Sequence, residues 1–406
     1  MCHLTSKQSF WVVQLTAVGR GAVATVLADG PGAVAAVERH FVPKGRIRLA
    51  ECPPDGPLFG RFGPAGEEVV VHRQGADTVL LHCHGGWAAV SMIIELLCRE
   101  GGTAIAWHRY VQQQHSGLHE YQQWQAEAQI ALASARTERT AAILLDQMCG
   151  ALARELAEVQ ELITCGQRAS AAKRVAMLVE RYRIGCHLVQ PWRVVLAGAV
   201  NVGKSSLLNA LAGYARAIVH PMPGATRDTL TVATAIDGWP MELCDTAGLR
   251  QTEDQIEQAG VQRAWQTIAN ADLVVWVFDL SICWSEQHKA ILGSMCNLGE
   301  QLRSRVAHLV PQYDGKRQST PADADYPAEA KPVLPVYNKS DLPQSFQPPE
   351  GGTLTCAVSG AGVVELAEAI AAALVRDPPP PGAGVPITLQ QKAHIERLLG
   401  SLGCLQ

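Results

Sequence analysis

The sequence predicts an α/β fold with a mostly parallel sheet over residues 192–376, and three observations predict it. Short apolar runs at Arg193-Val194-Val195-Leu196-Ala197, Met241-Glu242-Leu243-Cys244 and Val333 to Tyr337 read as buried strands. They alternate with helical patterns, which gives a parallel sheet with helices on both faces. The first run leads into Gly198-Ala199-Val200-Asn201-Val202-Gly203-Lys204-Ser205, a G-x-x-x-x-G-K-[ST] loop, and Leu207, Leu208 and Leu211 follow at helical spacing. The other two runs end on short polar motifs, Asp245-Thr246-Ala247-Gly248 and Asn338-Lys339-Ser340-Asp341.

A strand, a glycine-rich turn and a helix start make a phosphate cradle. Glycines let backbone N–H groups point inward, and the helix N-terminus adds partial positive charge. In this pattern Lys204 reaches the β- and γ-phosphates and the Ser205 hydroxyl sits on Mg²⁺. Asp245 holds the same ion through water, and the Gly248 N–H faces the γ-phosphate. Thr226 lies between the two motifs, where a switch loop brings a threonine to Mg²⁺. Asp341 accepts two hydrogen bonds from guanine N1–H and the exocyclic amine, a pair that adenine lacks. A chance Gly/Ser loop does not explain three motifs in this order after three strands. The region reads as a P-loop domain that binds GTP rather than ATP.

Composition bounds the rest. The 406 residues suffice for two or three domains, and 48% hydrophobic against 18% charged residues allows sizeable cores. A net charge of −4 argues against broad electrostatic binding of nucleic acid but leaves room for a local basic patch. The 12 cysteines form no C-x-x-C pair, so neither a zinc site nor a disulfide framework is indicated, and a reducing cytosol suits them. No basic leader precedes a long apolar stretch, and no run of about 18 apolar residues occurs. The expectation is a soluble, cytoplasmic protein without a membrane segment.

Taken in order, residues 1–118 read as a small β-rich α+β domain. Strands are expected at Val12–Leu15 and Ala22–Leu27 around Gly19-Arg20-Gly21, and at Glu68–His72 and Thr78–His82 around Gly75-Ala76-Asp77. Pro and Gly crowd 53–66, which reads as a loop, and a helix follows from about 88 to 100. His82 and His84 share a strand face, but no third ligand is near in sequence, so a turn feature is preferred to a metal site. Residues 119–191 are rich in Ala, Leu, Glu, Gln and Arg and predict two or three long helices with a solvated charged face. The polar stretch 300–332 reads as a surface insertion in the 192–376 domain. Asp377-Pro378-Pro379-Pro380-Pro381-Gly382 reads as a stiff linker, and Pro386 to Leu402 as a last helix within 377–406.

Three stretches resemble one family, the tRNA-modification GTPases called MnmE or TrmE. They are Asp245-Thr246-Ala247-Gly248-Leu249-Arg250 on to Arg263, Asn201-Val202-Gly203-Lys204-Ser205-Ser206-Leu207-Leu208-Asn209-Ala210-Leu211, and Pro223-Gly224-Ala225-Thr226-Arg227-Asp228. The resemblance is strong over 190–280 and 336–370. It is weaker at Gly19-Arg20-Gly21, Cys83-His84-Gly85-Gly86 and Gln125-Ala126-Glu127-Ala128. It implies a G domain inserted in a helical domain that the C-terminal helix completes. It further implies a homodimer, an N-terminal domain that binds a folate one-carbon donor, and a flavoprotein partner. Together these would modify C5 of the wobble uridine in tRNA, with GTP hydrolysis activated by K⁺ and by pairing of G domains.

Residue by residue, the resemblance gives Asn201 to K⁺, helped by carbonyls of Ile218–Gly224, and gives Thr226 to Mg²⁺. Glu257 matches the catalytic glutamate that orients the attacking water through a second water. The candidate catalytic residues are therefore Glu257, Lys204 and Thr226. The candidate nucleotide contacts are Asn201, Val202, Gly203, Lys204, Ser205, Ser206, Asp245, Thr246, Ala247, Gly248, Asn338, Lys339, Asp341, Cys356 and Ala357. Cys356-Ala357 stands where the family usually carries Ser-Ala, and His220 and Pro221 stand in the potassium loop where other residues are more usual. The family's C-terminal Cys-x-Gly-Lys-x-Cys motif has no counterpart at Gly403-Cys404-Leu405-Gln406. That difference favours an alternative, a divergent paralogue acting as a GTP-driven regulatory switch without tRNA modification. A third reading, GTP binding without turnover, is opposed by Thr226 and Glu257.

Overall fold

The computed structural model of the chain describes residues 10–19, 21–53, 56–215, 231–245, 267–283, 332–349 and 351–403. It divides into two units that meet in sequence at Ala126 and Glu127.

In the first unit, strands β1 (Phe10–Gln14), β2 (Val23–Asp29), β3 (Phe41–Pro43), β4 (Pro57–Phe62), β5 (Glu67–Arg73), β6 (Thr78–His84) and β7 (Gly102–Ala104) form one sheet in the order β3-β4-β5-β6-β2-β1-β7. Every pairing is antiparallel except that of β1 with β7. Alternation places Val69 and Val71, Val79, Leu81 and Cys83, and Ala24, Val26 and Ala28 on one buried face. Helices α1 (Ala33–His40) and α2 (Trp87–Arg99) supply Ala33, Ala36 and Val37, and Val90, Ile93 and Leu97, to the same core.

One reading of this region is corrected, and one helix is added to it. Residues 53–66 are not all loop, because β4 pairs with β5 from Pro57 opposite His72 to Phe62 opposite Glu67. Pro57 is tolerated because it stands at the first strand position, and Leu58 and Phe62 pack into or against the core. Ala33–His40 is helical, which its short Ala/Val pattern did not announce. His82 and His84 each have a partner of their own: His82 Nδ1 lies 3.0 Å from Thr25 Oγ1, and His84 Nδ1 lies 2.7 Å from Glu67 Oε1.

The chain continues through α3 (Trp107–Gln114) to α4 (Glu120–Leu132), α5 (Glu138–Met148), α6 (Ala151–Thr164) and α7 (Arg168–Cys186). Residues 119–190 therefore hold four helices rather than two or three. Gly150 and Gly166, at φ 85° and 77°, adopt the left-handed backbone that ends a helix cheaply only at glycine.

The second sheet contains β8 (Trp192–Ala197), β9 (Thr231–Ile236), β10 (Trp239–Asp245), β11 (Leu273–Asp279), β12 (Val333–Asn338) and β13 (Thr353–Leu354) in the order β13-β12-β11-β8-β10-β9. Only β9 runs antiparallel to its neighbour. Val194 and Leu196 face one side, with Leu207, Leu208 and Leu211 of α8 (Lys204–Ala215) and Leu366 and Ile370 of α9 (Val363–Leu374). Val195 and Ala197 face the other, with Ile268 and Ala271. Burial on both faces is what makes these strands continuous apolar runs.

After α9 the chain returns to the helices. Gly382 N–H donates to Asp146 Oδ2 (2.7 Å), Gly384 N–H to Glu155 Oε2 (2.7 Å) and Val385 N–H to Gln147 Oε1 (2.9 Å). Arg181 closes the buried Glu155 carboxylate at 3.0 Å. The last helix, α10 (Leu389–Ser401), is capped by Thr388, and its Gln391 donates to Glu127 at 2.8 Å. The nucleotide-type sheet is thus an insertion between helices that pack together.

The junction is firm on two sides. Trp192, at the start of β8, is fully buried and stacks on His187 with centroids 3.6 Å apart. Burial pushes the His187 imidazole down and keeps it neutral. Arg139 of α5 forms an ion pair with Asp237 in the β9–β10 turn (2.8 Å) and lies over the Trp239 ring. The insertion expected at 300–332 lies, but for its final residue, outside the described residues.

Candidate functional site

The site is built at the C-terminal ends of β8, β10, β11, β12 and β13, where open α/β sheets bind ligands. β8 ends at Ala197 and the loop turns at once. Gly198 has φ 142°, Asn201 φ 63° and Gly203 φ 94°, so three of the six residues before Lys204 leave the ordinary right-handed and extended regions. Asn is among the few side chains that accept this backbone. The Gly203 carbonyl then receives the first helical hydrogen bond, from Leu207 N–H at 2.9 Å. Lys204 is 5% exposed, and its Nζ donates to the Gly198 carbonyl at 3.1 Å and to that of Ala199 at 2.7 Å. The ammonium is folded into the mouth of its own loop.

Asp245, the last residue of β10, is buried, and Ser205 Oγ donates to its Oδ2. A hydroxyl and a carboxylate side by side form a hard oxygen donor pair that fits Mg²⁺. The preceding Cys244 is half-buried. Burial pushes its thiol up, so it remains neutral beside the carboxylate.

Asn338, the last residue of β12, is 2% exposed. Its Nδ2 donates to the Val202 carbonyl at 2.9 Å, and its Oδ1 accepts from Thr355 Oγ1 and from Ala357 N–H, both at 3.2 Å. One carboxamide therefore ties the phosphate-type loop to the 355–357 loop. Gly203 is required for this, because a Cβ there would lie 2.3 Å from Asn338 Nδ2. Cys356 is buried, and its Sγ accepts from Ser359 N–H at 3.4 Å, which fixes the turn after Ala357. Lys339 Nζ donates to Asp279 Oδ2 at 2.6 Å, and Asp341 is exposed.

Of the residues read from the sequence, Val202, Gly203, Lys204, Ser205, Asp245, Asn338, Lys339, Cys356 and Ala357 come together here. Thr226, Thr246, Ala247, Gly248, Glu257, His220 and Pro221 lie outside the described residues. Thr355 and Asp279 went unread. The available signals were a threonine just before Cys356-Ala357 and an acid closing the apolar run Leu273 to Phe278. Among the described residues no group of three His, Cys, Asp or Glu side chains is placed to hold a metal, and no helix is long and apolar enough to cross a membrane.

The fold and site define a P-loop GTPase. The sequence model described as 50S ribosome-binding GTPase matches residues 193–310. Three relatives matched over two thirds or more of their length go further. The tRNA modification GTPase MnmE of Synechococcus sp. (strain RCC307) is 31% identical over 402 residues, spanning 88% of this chain and 79% of that protein. That of Synechococcus sp. (strain WH7803) is 31% identical over 342 residues, spanning 74% and 71%. That of Carboxydothermus hydrogenoformans is 30% identical over 316 residues, spanning 68% of each. The chain belongs to the tRNA modification GTPase MnmE family, and it is an enzyme that hydrolyses GTP.

Replacing Asn338 by Ala should lower the urea midpoint by the equivalent of about 1–3 kcal/mol, because the buried Val202 carbonyl loses its donor. GTP affinity should fall with it. An unchanged midpoint would show that the two loops are held some other way.

Proposed function

We propose that this chain hydrolyses GTP to drive modification of C5 of the wobble uridine in tRNA. The observation that carries the reading is the guanine-nucleotide site joined through Asn338, in a chain that matches proteins named for tRNA modification over most of their length. In this reading residues 1–118, 119–191, 192–376 and 377–406 act as the N-terminal, helical, G and completing helical segments of a cytoplasmic homodimer with a flavoprotein partner. A folate one-carbon donor belongs to the N-terminal segment, on the resemblance at 19–21 and 83–86.

Each residue then has a task. The loop amides from Asn201 to Ser206 and the Lys204 ammonium bind the phosphates. For this Lys204 turns from the Gly198 and Ala199 carbonyls to the anion. Ser205 and Thr226 would hold Mg²⁺, with Asp245 assisting from beside Ser205. When bound, this ion neutralises charge on the β- and γ-phosphate oxygens. Thr246, Ala247 and Gly248 line the γ-phosphate side, and Glu257 orients the attacking water. Asn201 would hold K⁺, whose charge would supply the neutralisation an arginine gives elsewhere. Asp341 reads the guanine N1–H and amine, and Ala357 N–H lies beside the base with Cys356 bracing its turn.

Two experiments test this. GTP turnover by the purified protein should be faster in potassium than in sodium buffer, by about tenfold or more, and should rise with protein concentration as G domains pair. Turnover indifferent to the cation removes K⁺ from Asn201. Separately, the chain and the flavoprotein of its own genome would be expressed in bacteria lacking their own such GTPase. Mass spectrometry of tRNA nucleosides should show C5-substituted uridine restored. Uridine left bare, with GTP hydrolysis intact, would refute the tRNA role.

A further inference from the structure

Asp279 ends β11, and its side chain is 4% exposed at the close of an apolar strand. A carboxylate so placed is costly unless every lone pair is used. Its Oδ1 accepts from Ser281 N–H at 2.9 Å and from Ser281 Oγ at 2.6 Å, and its Oδ2 accepts from Lys339 Nζ at 2.6 Å. Burial pushes the carboxyl up, but the Lys339 ammonium and the Ser281 bonds outweigh it and hold Asp279 below the usual carboxylate range. Asp279 is therefore ionised at neutral pH.

Lys339 needs such an anchor. Its backbone is left-handed (φ 65°), and it stands between Asn338, which is fixed by three hydrogen bonds, and the exposed Asp341. Its four-carbon side chain has many rotamers, and the bond to Asp279 selects one of them. The anchor is itself braced. Leu280 N–H donates to the Asn338 carbonyl at 3.0 Å, Ser345 N–H to the Leu280 carbonyl at 2.9 Å, and Ser345 Oγ to the Ser281 carbonyl at 2.7 Å. The end of β11 and the turn after β12 thus form one block, with Lys339 held across it.

We propose that Asp279 is a positioning residue for guanine-nucleotide binding: it fixes Lys339 in the orientation that meets the base, and Ser281 and Ser345 keep Asp279 in place. This rests on the reading of 338–341 as the guanine-contact turn. Asp279 touches no reacting atom, so it should act on affinity and leave the chemical step alone. It should also act on any base that Lys339 meets, without changing the choice that Asp341 makes.

The test is a double-mutant cycle of Asp279→Asn and Lys339→Ala, reading GTP and ITP affinity together with kcat at saturating GTP. Asp279→Asn should weaken GTP and ITP equally, by about tenfold or more, with kcat kept. In the Lys339→Ala background the same change should cost less than about twofold. Asp279→Glu, which keeps the charge, should recover part of the loss and guards against misfolding of the Asn variant. An equal loss in both backgrounds, or no loss in the single variant, would overturn the proposal. If Lys339→Ala itself leaves GTP affinity intact, the guanine-contact reading fails first and the role of Asp279 falls with it.

Discussion

The carboxamide of Asn338 is the constraint on which the site depends. It is buried, so each of its polar atoms must find a partner or carry a desolvation penalty of about 1–3 kcal/mol. The partners are a carbonyl in the phosphate-type loop and two donors in the 355–357 loop. Three loops that leave three different parallel strands are therefore held at one spacing by one side chain. That spacing is the distance between where a base and where a triphosphate must lie. Gly203 is the complement to Asn338, since no side chain fits between them.

The rest of the second unit holds these strand ends steady. Leucines of α8 and α9 on one face, and Ile268 and Ala271 on the other, bury the sheet from both sides. The return segment, hydrogen-bonded to Asp146, Gln147 and Glu155, fastens the exit of the inserted sheet to the helices from which it started. Arg139 grips the β9–β10 turn, and β10 ends at Asp245 beside Ser205. An exposed ion pair of this kind is worth little by itself, about 0–1 kcal/mol. Its contact with the Trp239 ring fixes a direction as well as a charge.

How much of this was legible follows from what each signal encodes. The phosphate-type loop was legible because Gly198, Gly203, Lys204 and Ser205 carry their chemistry in their identity and the flanking strand and helix are strongly periodic. Asn338 was legible as part of N-K-x-D, but its binding of Val202 was not, since that contact joins residues far apart in sequence. Asp279 shows the same limit: an acid at a strand end looks like a turn residue until Lys339 is placed against it. β4 was hidden because Pro57 and Gly60 read as loop punctuation, whereas pairing with β5 overrides local propensity. The four helices of 119–190 ran together in the reading because Gly150, Gly166 and the short turn over 133–137 are brief breaks in otherwise strong helix formers.

The loops joined through Asn338 form a site for guanine nucleotides, and displacement tests that most directly. A fluorescent GDP analogue would be bound to the wild-type protein in Mg²⁺ and competed with GDP and with ADP. A site built to hydrogen-bond guanine should reject adenine by about 10⁴-fold, with GDP displacing the probe at low concentration. Displacement by ADP at concentrations similar to those of GDP would contradict the account, because the loops would then be reading phosphates alone.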